Sequence, residues 1–154
     1  MTSLCCKVLD TLAGKTLVSA ESCTGGGIGA ALTAIPGSSE VYKGGIISYT
    51  NWVKHNILGV DQQLLDTVGA VSAPVAKAMA QGARKVLDAD AAVSVTGLAG
   101  PGGDEFGHPV GTVFIGYADA STAFSREFHF EGDREAVRGQ AAKTALEIVL
   151  EMNG

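Results

Sequence analysis

The chain has 154 residues, 46% of them apolar and 18% charged, with a formal net charge of −5. That length fits a single domain over residues 1–154 with a sizeable core, and no run approaches the roughly 18 uninterrupted apolar residues a membrane-spanning helix needs. The acidic balance supplies no broad basic face for nucleic acid, and the opening MTSLCCKVLD, with an early acid and no apolar signal core, points to the cytoplasm.

Leu4, Val8, Leu9 and Leu12 recur at helical spacing, and Gly14 ends that run. KTLVSAE then reads as a buried strand, and SCTGGGIGAALTAIPG as a glycine turn leading into a small-residue helix that stops at Pro36. VYKGGIISYT predicts one or two short strands. NWVKHNIL opens a helix with Asn51 in N-cap position. DQQLLDTVG suggests a short helical turn, and Ser72 is placed to cap a longer helix with Pro74 in its first turn. AAVSVTG is a β-branched apolar strand running into the loop LAGPGGDEFGHP. VGTVFIGYAD and STAFSREFHF alternate as an antiparallel pair, and Asp133 caps a last helix through about Met152. Buried strands between amphipathic helices predict a three-layer α/β/α sandwich with a mixed sheet.

Several motifs bear on chemistry. Gly25, Gly27 and Ala30 match G-x-G-x-x-A, but four residues separate the strand from the first glycine and no acid ends a second strand at the right distance, so a dinucleotide fold is not expected. The same glycines, Gly25 and Gly26 included, would let a helix start offer free N–H groups to a phosphate, or simply let the helix pack closely on the sheet. AGKT at 13–16 lacks the earlier glycine of a phosphate-binding loop. Cys5, Cys6 and Cys23 form no disulfide or zinc spacing, and His55, His108 and His129 are scattered, so no metal site is expected. Cys23, beside Glu21, is a candidate nucleophile or a small buried filler.

The densest chemistry lies in GSSEVYKGGIISYTNWVK, residues 37–54. With Asn51 as cap, Lys54 falls in the first turn of its helix, where the macrodipole disfavours an ammonium. Shielding by Trp52 and Ile57 would push its pKa down further, making it a base for a hydroxyl. Tyr49 ends the preceding strand and could reach the same place. Spacing alone does not choose a nucleophile among the serines.

AESCTGG, IPGSSEVYKGGIISYTNWVK, GAVS, SVTGLAGPGG, PVGTV and GDREAVR resemble, in order and spacing, the C-terminal domain family of CinA, the competence/damage-inducible protein. Stand-alone members of that family are nicotinamide-nucleotide amidases. The resemblance implies hydrolysis of nicotinamide mononucleotide to nicotinate mononucleotide and ammonia without metal or cofactor. It implies Ser39 as nucleophile, Lys54 as base and Tyr49 as a third catalytic group. Thr96 and Arg134 match further active-site positions, with Arg138 one helical turn away as the alternative phosphate ligand. The competing readings are a catalytically silent nucleotide-binding module linked to competence or the DNA-damage response, and a different amidase or esterase on the same site. A small molecule is the expected partner, a homo-oligomer is compatible with the sequence, and neither nucleic acid nor membrane is expected. Dialysis against a strong chelator should leave amide hydrolysis unchanged; a loss restored by zinc or magnesium would overturn the metal-free expectation.

Overall fold

The computed structural model describes residues 1–154. A five-stranded mixed sheet carries helices on both faces, the three-layer α/β/α sandwich that the hydrophobic patterning predicts. The strands are β1 (Leu17–Glu21), β2 (Tyr42–Ile47), β3 (Ala91–Gly97), β4 (Thr112–Ala118) and β5 (Ala123–His129), in spatial order β2-β1-β3-β4-β5. β2, β1 and β3 run parallel, and β4 and β5 complete the sheet antiparallel. β1, β3 and β4 are buried along nearly their whole length, as central strands covered on both faces must be.

The helices are α1 (Thr2–Thr11), α2 (Gly27–Thr33), α3 (Asn51–Asn56), α4 (Gln62–Thr67), α5 (Ala73–Val86) and α6 (Arg134–Asn153). None is long and apolar enough to cross a membrane. α1, α2 and α6 pack on one face through Val8, Leu12, Ile28, Leu32, Val137 and Leu146. α5 covers the other face, joined there by Leu58 and Val60 after α3 and by Leu65 of α4. This division follows from handedness. The β1–β2 crossover moves outward and the β2–β3 crossover moves back across β1, so two right-handed crossovers must lie on opposite faces. The C-terminal ends of β1 and β2 therefore lead to opposite sides of the sheet, which opens a crevice between them, the usual ligand position in open α/β sheets.

Of the three expected caps, one holds in full, one in position only, and one is shifted by a residue. Asp133 Oδ1 accepts from Ala136 N at 2.9 Å at the start of α6, and Pro74 occupies the first turn of α5. Ser72 is the N-cap of α5, yet its hydroxyl donates to Gly69 O at 2.7 Å instead of capping. At α3 the cap is Thr50, one residue before the expected Asn51, with Val53 N donating to its hydroxyl. VYKGGIISYT forms a single strand, with its register shifting between Leu17 and Val18 of β1.

α5 packs closely on β4 at Gly116, which pairs with Ser94 in the sheet; a Cβ there would run into Ala76 O and Ser94 Oγ. The Ser94 hydroxyl donates to that same Ala76 carbonyl at 2.6 Å. Gly116→Ala should therefore lower stability by about 1–3 kcal/mol through overpacking, measured as a lower denaturant midpoint at unchanged m-value. An unchanged midpoint would show that the helix has room to retreat.

Candidate active site

The C-terminal ends of β1, β2 and β3 together enclose a cavity of about 290 Å³, near the small end of the range for ligand pockets. Its floor comes from the residues that follow three parallel strands. Ser22 and Cys23 follow β1, Tyr49 and Lys54 follow β2, and Thr96 through Gly100 close the end of β3. Ser22 N donates to Val95 O at 2.9 Å and Ser48 N donates to Glu21 O at 2.8 Å, so the sheet ladder extends up to the cavity and fixes both flanks.

Lys54 is 1% exposed. Its Nζ lies 2.9 Å from Ser22 Oγ, 2.7 Å from Ser48 O and 3.4 Å from Tyr49 O. No acidic side chain pairs with it: the salt bridges of this structure are His108–Asp104, Arg126–Glu151 and His129–Glu127. Burial of an amine without a counter-ion disfavours the charged form, and its pKa is lowered from 10.5 to about 8. The expected direction holds, but the cause differs from the expected one. Trp52 and Ile57 are exposed, at 65% and 42%, and shield nothing; burial against the backbone of 48–49 and the Ser22 turn does the work. A neutral lysine has two N–H bonds and one lone pair. With two backbone carbonyls available to take the N–H bonds, the lone pair is left for the Ser22 hydroxyl.

Ser39 is not part of this group. It is exposed in a short 3-10 turn, Ser38–Glu40, at the N-terminal end of β2, whereas Lys54 follows the C-terminal end. Six strand residues at about 3.3 Å each place roughly 20 Å between the two ends. The serine beside the lysine is Ser22, within the AESCTGG motif rather than the GSS motif. Ser38, the neighbour of Ser39, is buried in the same turn. Cys23 also lines the cavity, but burial pushes its thiol up to about 11, so it is a protonated thiol at neutral pH. One buried hydroxyl, Ser48 Oγ, has no hydrogen-bond partner.

The glycine-rich helix start is already filled. Glu21 is 2% exposed, and its Oε1 accepts from Thr24 Oγ1 and Ile28 N, both at 2.8 Å. Its Oε2 accepts from Ser19 Oγ and Gly29 N, both at 3.1 Å. A buried carboxyl group needs such partners, and it takes the N–H groups that a phosphate would have used. Gly25 and Gly26 do not line the cavity; at φ of 58° and 104° they make the tight turn from Ser22 into α2.

The two arginines separate by one helical turn into two environments. Arg134 lines the cavity, its Nη1 donating to Gly100 O at 2.7 Å and its Nη2 to Tyr49 Oη at 3.1 Å, so it bridges two rims of the mouth. Arg138 instead donates Nε to Cys23 O at 3.0 Å and Nη2 to Thr24 O at 3.1 Å. Thr96 donates its hydroxyl to Ala70 O at 2.9 Å, which leaves the oxygen as an acceptor.

Fold and cavity define the class: an α/β/α domain with a polar pocket of small-molecule size at the switch point of its parallel strands. Within that class the chain belongs to the CinA C-terminal domain family, whose profile matches residues 2–153. It is similar to a CinA-like protein of Geobacter metallireducens, 51% identical over 134 residues, covering 87% of this chain and 32% of that protein. It is also similar to a Pseudomonas putida protein named nicotinamide-nucleotide amidohydrolase PncC, 46% identical over 136 residues, covering 88% of this chain and 85% of that one. The chain thus spans about a third of the CinA-like relative. A crystal structure of the competence/damage-inducible protein CihA from Agrobacterium tumefaciens matches with a TM-score of 0.95 at 38% identity, covering 99% of this chain and 95% of that one. A CinA superfamily protein from Enterobacter cloacae matches with a TM-score of 0.96 at 31% identity, covering 99% and 92%.

The lowered lysine pKa carries a stability signature. Between pH 8 and 10.5 the unfolded chain holds a proton on Lys54 that the folded chain has lost, so stability rises with pH across that window and the cost of burying the charge is fully present below it. Lys54→Met removes this dependence. Its stability relative to wild type should decline by about 3 kcal/mol from pH 8 to pH 10.5, measured by denaturant unfolding; parallel curves would mean that Lys54 titrates normally.

Proposed function

We propose that this chain hydrolyses the carboxamide of a nicotinamide nucleotide to the carboxylate and ammonia, with Ser22 as nucleophile and Lys54 as general base. The observation that carries this reading is the 2.9 Å contact between a buried, uncompensated Lys54 amine and the Ser22 hydroxyl inside the cavity. The amidohydrolase name of the Pseudomonas putida relative, which the chain matches over 85% of that protein's length, supports the choice of substrate.

Lys54 takes the Ser22 proton on its lone pair as Oγ bonds to the amide carbon, and the carbonyl electron pair moves onto oxygen. Collapse of the tetrahedral intermediate expels the nitrogen as ammonia, which takes the proton from Lys54. The ester on Ser22 remains. Water then gives a proton to Lys54 and attacks that ester; the second collapse releases the carboxylic acid, which ionises to the carboxylate by passing its proton to the released ammonia or to solvent, while Lys54 returns its proton to Ser22. The dyad ends as it began. Thr96, an acceptor only on its pocket side, suits the N–H bonds of a carboxamide and repels a carboxylate. Arg134, across the mouth, is the cation for the phosphate, and binding would exchange its contacts with Gly100 O and Tyr49 Oη for a charge-assisted pair.

Purified protein given nicotinamide mononucleotide should release ammonia. Ser22→Ala and Lys54→Ala should each remove nearly all turnover and the double variant little more, because members of one catalytic unit are not additive. Ser39→Ala should stay close to wild type. The kcat/KM profile should fall about tenfold per pH unit below a pKa near 8, as Lys54 gains its proton. Full activity in Ser22→Ala with loss in Ser39→Ala would return the nucleophile to the GSS motif.

A further inference from the structure

The tetrahedral intermediate needs a donor for its oxyanion, and no side chain yet described is committed to that task. Three observations locate one in the turn between β1 and α2.

The first is peptide geometry. Ser22 O accepts from Gly25 N at 3.0 Å, which turns that carbonyl into the turn. The N–H of Cys23 belongs to the same planar trans peptide and points the opposite way, out of the turn. The second is that this N–H donates to no carbonyl or carboxylate, its own thiol being its one polar contact, and Thr24 N likewise has no backbone acceptor, although both residues are buried. Buried N–H groups are rarely left so. The third is position. Cys23 follows the nucleophile directly and lines the same cavity, so its N–H is tied covalently beside Ser22 Oγ. A nucleophile on a sharp strand-to-helix turn, with the next residue's N–H facing the developing charge, is a workable arrangement for acyl transfer.

What aims the turn is Arg138. Its guanidinium gathers the carbonyls of Cys23 and Thr24, and Gly25 leaves it room, since a Cβ at Gly25 would lie 3.3 Å from Arg138 Nη2. Opposite it, Glu21 holds Thr24 Oγ1 and the first N–H groups of α2. Carbonyls are drawn to one side and helix N–H groups to the other, so the five residues from Ser22 to Gly26 have little freedom.

We infer that the backbone N–H of Cys23 is the oxyanion donor of this site and that Arg138 is a positioning residue that holds it in place. The inference rests on the proposed serine hydrolysis. Arg138 touches no substrate, so Arg138→Ala should lower kcat about 10- to 100-fold, short of or equal to the loss of a whole oxyanion donor, with KM within about threefold of wild type. Arg138→Lys, a point donor unable to span two carbonyls, should fall between. If Arg138 were the phosphate ligand, KM would rise and kcat would hold; that result would overturn the positioning role.

The donor itself is tested without turnover, using pyridine-3-boronic acid on the 15N-labelled wild-type protein. Ser22 Oγ bonds to boron, its proton passes to Lys54, and the tetrahedral boronate carries the negative charge. The Cys23 amide proton should move downfield on formation of this adduct. A boronate on Ser22 that leaves the Cys23 amide unmoved would overturn this inference while the amidase reading stands. No adduct on Ser22 would overturn the nucleophile reading, and this inference with it.

Discussion

One buried amine sets the terms for the rest of the molecule. Lys54 enters the protein interior without a counter-ion, and its side-chain amine hydrogen-bonds to two backbone carbonyls and one hydroxyl. Such a group is costly to bury as an ammonium and tolerable as an amine. The fold accepts that cost where three parallel strands end together. There, Ser48 and Tyr49 present carbonyls that suit the two N–H bonds of a neutral lysine, and the Ser22 hydroxyl meets its lone pair. Had the same pocket contained a carboxylate within reach, Lys54 would have stayed charged and been no base at physiological pH. Glu21 is the nearest acid in sequence to Ser22. It is turned away, with its oxygens engaged by Ser19, Thr24 and the start of α2.

The topology explains why residues 32 apart in sequence meet. Because the β1–β2 and β2–β3 crossovers lie on opposite faces, the turn after β1 and the segment after β2 separate around an open crevice. Ser22 stands on one lip and Lys54 on the other. α6 closes the arrangement from above α2: Arg134 reaches the mouth, and Arg138, one turn on, holds the β1–α2 turn by its carbonyls. A single helix thus contributes one guanidinium that lines the cavity mouth and one that holds the backbone of the β1–α2 turn, and the difference lies in what each touches.

Much of this was legible in the residues. Alternation in TVFIGYA and AFSREFH gave the antiparallel pair, and the Asp133 cap fixed the start of α6. The resemblance to the CinA C-terminal domain family placed Tyr49, Thr96, Lys54 and Arg134 at one site, and all four line the cavity. Ser39, which the resemblance implies as nucleophile, lies away from Lys54 because the two flank opposite ends of β2 and a strand carries its ends apart. The rule that parallel α/β sheets bind at the carboxyl ends of their strands would have favoured Ser22, which follows β1, over Ser39, which precedes β2. The glycine run looked like a phosphate cradle because sequence does not show which acceptor fills a helix start; Glu21 lies just upstream and does so. Trp52 and Ile57 looked like shields for Lys54 on hydrophobicity alone, while the burial comes from backbone that has no sequence signature.

The claim most exposed to refutation is that Lys54 is a neutral amine poised on Ser22. The direct measurement is the 13Cε chemical shift of Lys54 in lysine-labelled protein, assigned by its loss in Lys54→Met, followed from pH 6 to pH 11. A midpoint near 8 is expected, well below the ordinary lysine value of about 10.4. A midpoint at the ordinary value would mean that the side chain is charged at neutral pH, unable to accept the serine proton, and the account of this site would fail.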